Sequence, residues 1–358
     1  MLFVTGGAGF IGSNFVLNWL EKSNEPILVI DSLTYAGNLE NLKSVENNPG
    51  FFFEQVDIND QTVIEDLLFK KRPRAVIHFA AESHVDRSIL GPEAFIQTNI
   101  NGTFRLLGCS LRYFQSLSAA EQSQFRFLHV STDEVYGSLE SDEPPFSETT
   151  PYAPNSPYSA SKAASDHLVR AWHHTYGLPV LTTNCSNNYG PFQFPEKLIP
   201  LTIANALQGK ALPIYGNGLN IRDWLYVVDH CEGIAAVLAS GQPGEVYNIG
   251  GWNEMTNIDI VRTICRLLDA KSPQTAKAAG GRHENLIQLV KDRPGHDKRY
   301  AINANKIFNT LGWKPKETFE SGIHKTIDWY LANNEWVQHV QSGDYKNWIN
   351  KQYANPSA

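Results

Sequence analysis

The chain has 358 residues, with 30 Lys and Arg against 37 Asp and Glu, a net charge of −7. An acidic chain repels the phosphates of nucleic acids and anionic membrane surfaces, so we expect neither as a partner. The charge is uneven, because residues 1–150 hold 20 acidic and 10 basic residues, whereas residues 151–358 hold 17 acidic and 20 basic ones. An anionic ligand is therefore expected against the second part of the chain.

Short apolar runs alternate with amphipathic stretches in the first half of the chain. The runs rich in β-branched and aromatic residues predict strands at Leu2–Thr5, Ile27–Ile30, Phe51–Val56, Ala75–Phe79, Phe125–Val130 and Leu178–Thr183. The stretches between them predict helices at Phe10–Glu21, Asp60–Lys71, Glu93–Leu117 and Pro157–Tyr176. This alternation is typical of the α/β class and predicts a Rossmann-type doubly wound parallel sheet.

After about residue 190 the pattern becomes irregular, with turns rich in Pro and Gly. We expect helices near Lys197–Gln208, Asp229–Ala239, Ile258–Leu268 and Phe319–Ala332, a surface loop at Ala270–Glu284 and a frayed end at Ala354–Ala358. A chain of this length typically forms two domains. We expect a first domain of residues 1–189 with a returning segment at about 224–250, and a smaller interleaved α/β lobe of residues 190–223 and 251–350.

Four cysteines stand far apart in the chain, and no C-x-x-C pair occurs. This usage fits free thiols in a reducing compartment better than disulfides or a zinc site, so we expect a cytoplasmic protein. The adjacent histidines at positions 173 and 174 face different sides of a helix, and we expect no metal site. The opening MLFVTGG lacks the pattern of a signal peptide, and no apolar stretch of about 18 residues is present to span a bilayer.

A glycine-rich turn joins the first predicted strand to the first helix. Residues 5–12 read TGGAGFIG, and glycines here permit a tight turn and the approach of a dinucleotide pyrophosphate to the helix N-terminus. The second strand ends in Asp31, 19 residues after Gly12, close to the spacing of about 20 for the acid that binds the adenosine ribose. An acid there repels a 2′-phosphate, so NAD is favoured over NADP. The alternative is an ordinary strand–turn–helix unit with an incidental aspartate.

Polar residues also follow the third and fourth predicted strands. Asp57 ends the third strand, and Ala80-Ala81-Glu82-Ser83 follows the fourth. Ligands of open α/β sheets bind at the carboxyl ends of the strands, which places both groups at the expected cofactor cleft. Taken alone, Asp57 is equally suited to capping the next helix.

Tyr158 and Lys162 lie four residues apart, on one face of the helix that begins near Pro157. A phenol with a pKa near 10 is a poor base at neutral pH, but a nearby ammonium and a positively charged nicotinamide ring both favour the phenolate. The pair is therefore suited to taking a proton from a sugar hydroxyl. By itself this spacing is common, and an ordinary surface pair is the alternative.

The segment STDEVYG, residues 131–137, directly follows the predicted strand Phe125–Val130. It places the hydroxyl of Thr132 and the carboxylates of Asp133 and Glu134 at a strand's carboxyl end, over the cofactor cleft. Without the other motifs, a polar turn would explain these residues equally well.

These motifs together resemble a known family. GGAGFIG, HFAAESHVDRS, STDEVYG, YSASK and NCSNNYGPFQFPEKLIP look like the extended short-chain dehydrogenase/reductases, and among them the 4,6-dehydratases of nucleotide sugars. The resemblance runs from Met1 to about Leu331. Asp133 is the most discriminating residue, because related nucleotide-sugar enzymes typically read T-S-E in this segment.

The resemblance implies a Rossmann lobe that holds NAD, a nucleotide-sugar lobe and a redox-neutral reaction on dTDP-glucose. Tyr158, helped by Thr132 and Lys162, would take the C4 hydroxyl proton as C4 is oxidised. Glu134 would then remove the C5 proton while Asp133 protonates the departing C6 hydroxyl, and reduction at C6 would give the 4-keto-6-deoxy sugar. The paired carboxylates also fit on physical grounds, because elimination needs one base and one acid, and like-charge repulsion keeps one of them protonated.

The resemblance also assigns binding residues. Cofactor contacts are implied at Gly6, Gly9, Phe10, Ile11, Gly12, Asp31, Ser32, Leu33, Thr34, Asp57, Ile58, Ala80, Ala81, Ser83, Thr98, Tyr158, Lys162 and Asn188. Nucleotide-sugar contacts are implied at Ser83, Thr132, Asn187, Glu196, Lys197, Leu198, Pro213, Ile214, Tyr215, Arg222, Asn257, Asp292, Arg293 and His296. A homodimer is implied too, in which helices Glu93–Leu117 and Pro157–Tyr176 of two copies form a four-helix bundle.

Other functions stay open at this point. A 4,6-dehydratase or 4-epimerase acting on a UDP-, CDP- or GDP-sugar would share most of these motifs, although Asp133 and Glu134 argue against an epimerase. A non-catalytic NAD-binding module on the same scaffold would be expected to lose its catalytic residues, and all of them are present. The later use of the product, in rhamnose or in another deoxysugar, is left open.

Overall fold

The computed structural model describes residues 1–342, so the predicted end at Ala354–Ala358 lies outside the described residues. The strands are β1 (Leu2–Thr5), β2 (Ile27–Asp31), β3 (Phe51–Gln55), β4 (Ala75–His78), β5 (Arg126–Thr132), β6 (Val180–Cys185), β7 (Asn187–Tyr189), β8 (Leu212–Tyr215), β9 (Ile221–Tyr226), β10 (Val246–Ile249), β11 (Glu254–Thr256) and β12 (Ile287–Val290). The α-helices are α1 (Phe10–Lys22), α2 (Gln61–Lys71), α3 (Val85–Leu90), α4 (Glu93–Phe95), α5 (Thr103–Ser116), α6 (Ala119–Gln124), α7 (Pro157–Tyr176), α8 (Leu198–Leu207), α9 (Val227–Ser240), α10 (Asn257–Lys271), α11 (Pro273–Ala278), α12 (Asn305–Leu311), α13 (Phe319–Ala332) and α14 (Asn334–Val340).

Seven strands form the main sheet, in the order β10-β6-β5-β4-β1-β2-β3. Every neighbouring pair is parallel. Strands β1 and β2 are buried along their whole length, as continuous apolar runs in a sheet covered on both faces require. The predicted α/β class and doubly wound sheet are therefore confirmed. The strand order reverses between β1 and β4, and this reversal opens a crevice at the carboxyl ends of the strands.

Helices cover both faces of the main sheet. Phe15 of α1 and Ile234 of α9 pack with β1 on one face, and Leu67 of α2, Leu107 of α5 and Val169 of α7 pack on the other. Because the strands between these layers run parallel, the turns after β1, β2, β4 and β5 lie along the same edge of the sheet, at the carboxyl ends of the strands.

The predicted helix Glu93–Leu117 is helical but not regular. A π-helical segment, Ile96–Gly102, lies between α4 and α5. Its Asn99 is buried, accepts a hydrogen bond from the Glu82 N–H at 2.8 Å, and donates to the Ser161 hydroxyl at 2.8 Å. The wider turn lets one side chain reach both the segment after β4 and helix α7. Apolar periodicity does not reveal such an inserted residue, because the flanking turns keep their helical spacing.

A second core lies beyond the main sheet. Strands β11, β9 and β7 form one small sheet and β12 and β8 form another, and helices α8, α10 and α13 pack around a cluster that includes Ile203, Ile264 and Ile327. The segment from α9 to β10 instead packs on the main sheet. On this arrangement we propose the interleaved division into residues 1–189 with 224–250, and 190–223 with 251–342, although β7 pairs in the small sheet and Ile307 of α12 packs in the core of the main sheet. Residues 343–350 of the predicted second lobe lie outside the described residues.

The prediction of a surface loop at Ala270–Glu284 is wrong, because the segment is largely helical. Helix α10 continues to Lys271, α11 follows with Pro273 at its first position, and residues 283–286 form a 3₁₀ turn. His283 is fully buried and bonds Asp269 at 2.6 Å, which ties the polar segment back to α10.

The short strands β7, β9, β10, β11 and β12 were not predicted, because strands of three to six residues show little periodicity. Among residues 1–342, no helix is both long and apolar enough to cross a bilayer.

Candidate active site

A cavity of about 320 Å³ lies at the carboxyl ends of the central strands, facing the second lobe. The predicted cofactor residues on its wall are Gly6, Gly9, Phe10, Ile11, Gly12, Asp31, Ser32, Thr34, Asp57, Ile58, Ala80, Ala81, Ser83, Thr98, Tyr158, Lys162 and Asn188. Thr132, Asp133, Glu134, Asn187, Glu196 and Lys197 line the same cavity. One space therefore joins the predicted cofactor residues to the predicted catalytic residues.

The glycine turn after β1 is built so that no side chain fits. Gly6 has φ +71°, and a Cβ on it would lie 2.5 Å from the backbone nitrogen of Ala80. A Cβ on Gly12 would lie 2.2 Å from the carbonyl oxygen of Gly6. Helix α1 starts after Gly9 without a side-chain cap, so its first N–H groups have no side-chain acceptor and face the cavity. This cradle fits the diphosphate of a dinucleotide.

Asp31, at the end of β2, is held in place by backbone N–H groups. Its Oδ2 accepts a hydrogen bond from the Ala8 N–H at 3.0 Å and its Oδ1 accepts one from the Leu33 N–H at 2.9 Å. Burial raises the pKa of Asp31, and the two N–H groups lower it. The carboxylate stands on the cavity wall as the ribose-binding interpretation requires. Leu33 itself is not on that wall, because its side chain packs against the core of the sheet.

The alternative role of Asp57 as a helix cap is wrong. Asp60 caps α2 by accepting from the Val63 N–H at 3.2 Å, whereas Asp57 accepts from the Asn59 N–H at 2.8 Å and lies on the cavity wall. Asp57 therefore shapes the turn after β3, beside the cavity.

Tyr158 and Lys162 sit in the first turns of α7. Ser156 caps this helix by accepting from the Ser159 N–H at 3.0 Å, with Pro157 at the first helical position. The Lys162 ammonium donates to the carbonyl of Val130 at 2.9 Å. Burial and then Glu134 raise the pKa of Tyr158 well above its ordinary value, against a hydrogen bond from Thr132 that lowers it. In the protein alone, the phenol is therefore protonated at neutral pH.

Asp133 and Glu134 are adjacent carboxyls with different surroundings. Asp133 is 1% exposed, and burial, then Glu134 and Asp223, raise its pKa well above the ordinary value. Burial also raises the pKa of Glu134, but Arg293, Lys197 and Arg222 act against it. Both pKa values are therefore raised, that of Asp133 more strongly, and the three cations beside Glu134 limit the rise at that residue. Thr132 caps the 3₁₀ turn that carries both, by accepting from the Glu134 N–H at 3.3 Å.

A second group of predicted residues lies beside the cavity and not on its wall. Tyr215 donates to Asp86 at 3.0 Å, Arg293 donates to the other oxygen of Asp86 at 3.3 Å, and the His296 ring packs edge-on against Tyr215. Arg222 is buried against the Tyr300 ring, 4.2 Å from its centre. The predicted substrate residues absent from the wall are Leu198, Pro213, Ile214, Tyr215, Arg222, Asn257, Asp292, Arg293 and His296.

Sequence reasoning assigned no role to several residues of this region. Asp86 joins Tyr215 to Arg293, and Arg87 stacks over the Tyr35 ring at 3.7 Å from its centre. Asp86 and Arg87 both lie in the motif HFAAESHVDRS, so the family resemblance could have indicated that these two residues belong to the site. Phe194 lines the cavity and had the same kind of signal, since it lies in the NCSNNYGPFQFPEKLIP segment, whereas Tyr35 lines the cavity without any such signal.

Comparison with known proteins agrees with this geometry. Residues 3–326 match the family model described as GDP-mannose 4,6 dehydratase. The chain is 56% identical to the dTDP-glucose 4,6-dehydratase of Shigella flexneri, over 98% of both chains, and 59% identical to that of Xanthomonas campestris pv. campestris (strain B100), over 96% of both.

Solved structures show the same relationship. DesIV, the dTDP-glucose 4,6-dehydratase of Streptomyces venezuelae solved with NAD and dTDP bound, superposes with a TM-score of 0.86 at 45% identity, covering 95% of this chain and 99% of that one. A UDP-glucose 4-epimerase of Thermus thermophilus with NAD has a TM-score of 0.79 at 30% identity, covering 93% and 99%. Fold, cavity and sequence agree that the chain belongs to the dTDP-glucose 4,6-dehydratase family, within the extended short-chain dehydrogenase/reductases.

Proposed function

We propose that this chain is an NAD-dependent dTDP-glucose 4,6-dehydratase, a carbon–oxygen lyase that forms dTDP-4-keto-6-deoxy-glucose. The observation that carries the proposal is the pair Asp133 and Glu134, two adjacent carboxyls at the end of β5. The pKa of Asp133 is raised more strongly, and three cations limit the rise at Glu134. The elimination of water needs a base that removes a proton from one carbon and an acid that protonates the hydroxyl leaving the neighbouring carbon. A redox enzyme or an epimerase does not need such a pair.

The cavity residues fit NAD. The backbone cradle at Gly6, Gly9 and Gly12 would hold the diphosphate, and Asp31 would accept hydrogen bonds from the adenosine ribose. Bound there, NAD supplies a hydride acceptor for the first step, a hydride donor for the last, and a positive charge near the reacting groups. Asp31 also supports NAD over NADP, since a 2′-phosphate would meet a buried carboxylate.

Tyr158 takes the proton of the C4 hydroxyl. The structure alone keeps its phenol protonated, so a positive charge is needed to bring its pKa toward neutrality. Lys162 supplies one such charge from the same face of α7, and the interaction of the phenol with the Thr132 side chain also lowers the pKa of Tyr158. Both interactions strengthen when the phenolate forms, which is the condition for lowering the barrier.

Glu134 and Asp133 perform the elimination. A ketone at C4 makes the C5 hydrogen acidic, and the Glu134 carboxylate, facing Arg293, Lys197 and Arg222, removes it. Asp133 keeps its proton at neutral pH and delivers it to the departing C6 hydroxyl, which leaves as water. Division of labour between adjacent carboxyls of different pKa resembles the pattern of other acid–base enzymes.

The cations around Glu134 also suit the substrate's diphosphate. Lys197, Arg222 and Arg293 come from the second part of the chain, where the basic surplus lies. Arginine and lysine bind phosphate oxygens by charge-assisted hydrogen bonds. We propose that Tyr215 and His296, packed edge-on next to Arg293, receive the nucleotide end.

We propose a homodimer that pairs through α5 and α7. Phe104 is 48% exposed and packs edge-on against Trp172, with 5.7 Å between ring centres, and Tyr176 is 50% exposed beside the same Trp172. Exposed aromatic strips on two adjacent helices are typical of protein interfaces. The four buried free cysteines support a reducing location, and we propose the cytoplasm.

The activity is tested by incubating purified protein with dTDP-glucose and analysing the nucleotide sugar by mass spectrometry and NMR. We expect a product lighter by one water, with a keto group at C4 and a methyl group at C6, and no net release of reduced cofactor. A C4 epimer of unchanged mass would favour the epimerase instead. Faster turnover of UDP-, CDP- or GDP-glucose in competition would overturn the assignment of the base.

A further inference from the structure

Three ionisable side chains follow one another along a single face of α7. Tyr158, Lys162 and Asp166 are spaced by four residues each, and all three are buried. We propose that Asp166 is a positioning residue, the buried counter-ion that keeps Lys162 charged and so lets Tyr158 become the phenolate. Its importance for turnover rests on the proposed function, but the charge interaction between Lys162 and Asp166, one turn apart on α7, does not.

The contacts of Asp166 indicate an ionised carboxylate. Its Oδ1 lies 3.0 Å from His129 Nε2, and its Oδ2 accepts from the Ser131 hydroxyl at 2.9 Å and from the Tyr152 hydroxyl at 3.0 Å. The Tyr152 oxygen itself accepts from Asn184 at 3.2 Å, which leaves its one proton for Asp166. Donors thus surround a group that, when ionised, only accepts.

Lys162 needs a counter-ion in this place. The residue is 4% exposed, and the hydrogen bond of its ammonium goes to the neutral carbonyl of Val130. Val130 lies between His129 and Ser131 on β5, so the strand residues that hold Asp166 flank the carbonyl that holds Lys162. Burial lowers the pKa of Lys162 and Asp166 raises it, while burial raises the pKa of Asp166 to about 6 and Lys162 lowers it. With a pKa of about 6 the Asp166 carboxyl is mainly ionised at neutral pH, and its negative charge favours the ammonium form of Lys162.

His129 is the other possible cation beside Asp166, and the structure argues against it. Burial, then Lys162, lower the pKa of His129 well below its ordinary value. Within residues 1–342 its Nδ1 has no hydrogen-bond partner, so a second N–H there would be buried and unpaired. His78 on β4, whose ring lies 5.3 Å from that of His129, is likewise kept neutral by burial, which lowers its pKa.

Apart from His167, the other titratable groups named around the pair are weak acids whose pKa is raised by burial. Tyr136 and Tyr152 stand on the loop side of Asp166, and Cys185 on β6 faces Lys162; burial raises the pKa of all three well above neutrality. His167 is the neighbouring position on α7 and lowers the pKa of Asp166. Asp166 is thus the negative charge that offsets the desolvation of Lys162 from within the core.

The consequence concerns which group of the Tyr158–Lys162 pair loses the first proton. Coupled groups titrate as a pair, and a negative charge next to Lys162 favours the form with phenolate and ammonium over the form with phenol and amine. Without that charge the buried ammonium loses its proton first. Tyr158 would then stay a phenol until higher pH, and it would not act as the base.

The test is a tyrosinate titration of the NAD-bound enzyme without substrate. Near-ultraviolet difference spectra between each protein and its Tyr158→Phe partner isolate the signal of Tyr158. We expect Asp166→Asn to move the tyrosinate midpoint upward by at least about one pH unit, which is about a tenfold loss of phenolate. With dTDP-glucose, kcat should fall about tenfold at neutral pH while KM changes less than about twofold.

Tyr152→Phe is the matched control, because it removes one hydrogen bond of Asp166 and leaves the charge in place. Its midpoint should stay near that of the unmodified enzyme, and Asp166→Glu should restore part of the shift. A midpoint that is unchanged or lower in Asp166→Asn, or equal shifts in Asp166→Asn and Tyr152→Phe, would overturn the proposal.

A reciprocal measurement covers the case in which Asp166→Asn does not fold. Lys162→Met should raise the pKa of Asp166 by at least about one unit, because the coupling between two charges acts equally on both, and carboxyl ¹³C NMR reports it. An unchanged pKa would contradict the ion pair. Neither titration depends on turnover, so an enzyme that fails to dehydrate dTDP-glucose would refute the proposed function without deciding the role of Asp166.

Discussion

Substitution of Asp133 by asparagine separates the steps of the proposed reaction most sharply. The side chain is 1% exposed, and burial, then Glu134, raise the pKa of its carboxyl well above the ordinary value, which favours the protonated form. Asparagine has nearly the same shape but carries no acidic proton for the C6 hydroxyl. Tyr158, Lys162 and Glu134 stay in place, so the C4 proton transfer should proceed while the loss of water stops.

The size of the defect follows from the isolation of this carboxyl. A general acid contributes about 10²- to 10⁴-fold to a rate, or about 3–5 kcal/mol of barrier. Within residues 1–342, Asp133 Oδ2 has no hydrogen-bond partner, and its neighbour Glu134 is occupied as the base. Since no adjacent donor replaces the lost proton, we expect the upper part of that range, a decrease in kcat of about 10³- to 10⁴-fold.

The assay follows both steps in one mixing experiment in D₂O. Asp133→Asn should show the absorbance of reduced cofactor in a single turnover, and recovered dTDP-glucose should carry deuterium at C5, because Glu134 still removes that proton. The matched variant Glu134→Gln should also show the absorbance but should not exchange the C5 hydrogen. If Asp133→Asn showed no absorbance, or if the exchange pattern were reversed, the assignment of acid and base would be refuted.

The same carboxyl predicts a gain in stability. In the unfolded chain an aspartate ionises near pH 4, whereas in the fold the raised pKa of Asp133 delays ionisation, so the native enzyme loses stability as pH rises above about 4. Each unit of pKa difference corresponds to about 1.4 kcal/mol. Asp133→Asn should therefore unfold at a higher temperature than the native enzyme at pH 7, with the gain disappearing below about pH 4. Calorimetry at both pH values checks this, and a less stable variant at pH 7 would contradict it.

Three further substitutions test the cofactor cradle and the proposed dimer. Gly12→Ala should abolish NAD binding in calorimetric titration, because its Cβ would lie 2.2 Å from a carbonyl oxygen, whereas Gly108→Ala on the surface of α5 should bind normally. Asp31→Ala should weaken NAD binding about 10- to 100-fold by removing charged hydrogen bonds to the adenosine ribose. It should also reduce the ratio of the affinity for NAD to that for NADP, and an unchanged ratio would contradict the role of Asp31 in binding the ribose. Phe104→Glu should convert the proposed dimer to a monomer in light scattering, and a dimer of undiminished stability would place the interface elsewhere.

Several regular elements of both lobes could be predicted because their signals are local. Strand β1 and helices α7 and α13 have the predicted bounds, and α7 shows why: a serine cap, a proline at the first helical position and Gly177 in the left-handed region at its end. The π-helical turn around Asn99, and helix α11 with the 3₁₀ turn that starts at His283, could not be predicted in this way. Their course depends on hydrogen bonds to residues that are distant in the sequence or hidden in the core.

The sequence by itself determined which reacting groups this protein carries, because a glycine turn, a tyrosine with a lysine four residues on, and two adjacent carboxyls are local patterns. Only the tertiary structure decided how those groups are charged. Asp133 and Glu134 are neighbours in the chain, yet Arg222 and Arg293 arrive beside Glu134 from far along it, and Asp223 arrives near Asp133. Electrostatic energy depends on separation in space and on burial, not on separation along the chain, so the fold alone makes the surroundings of these two neighbouring carboxyls different.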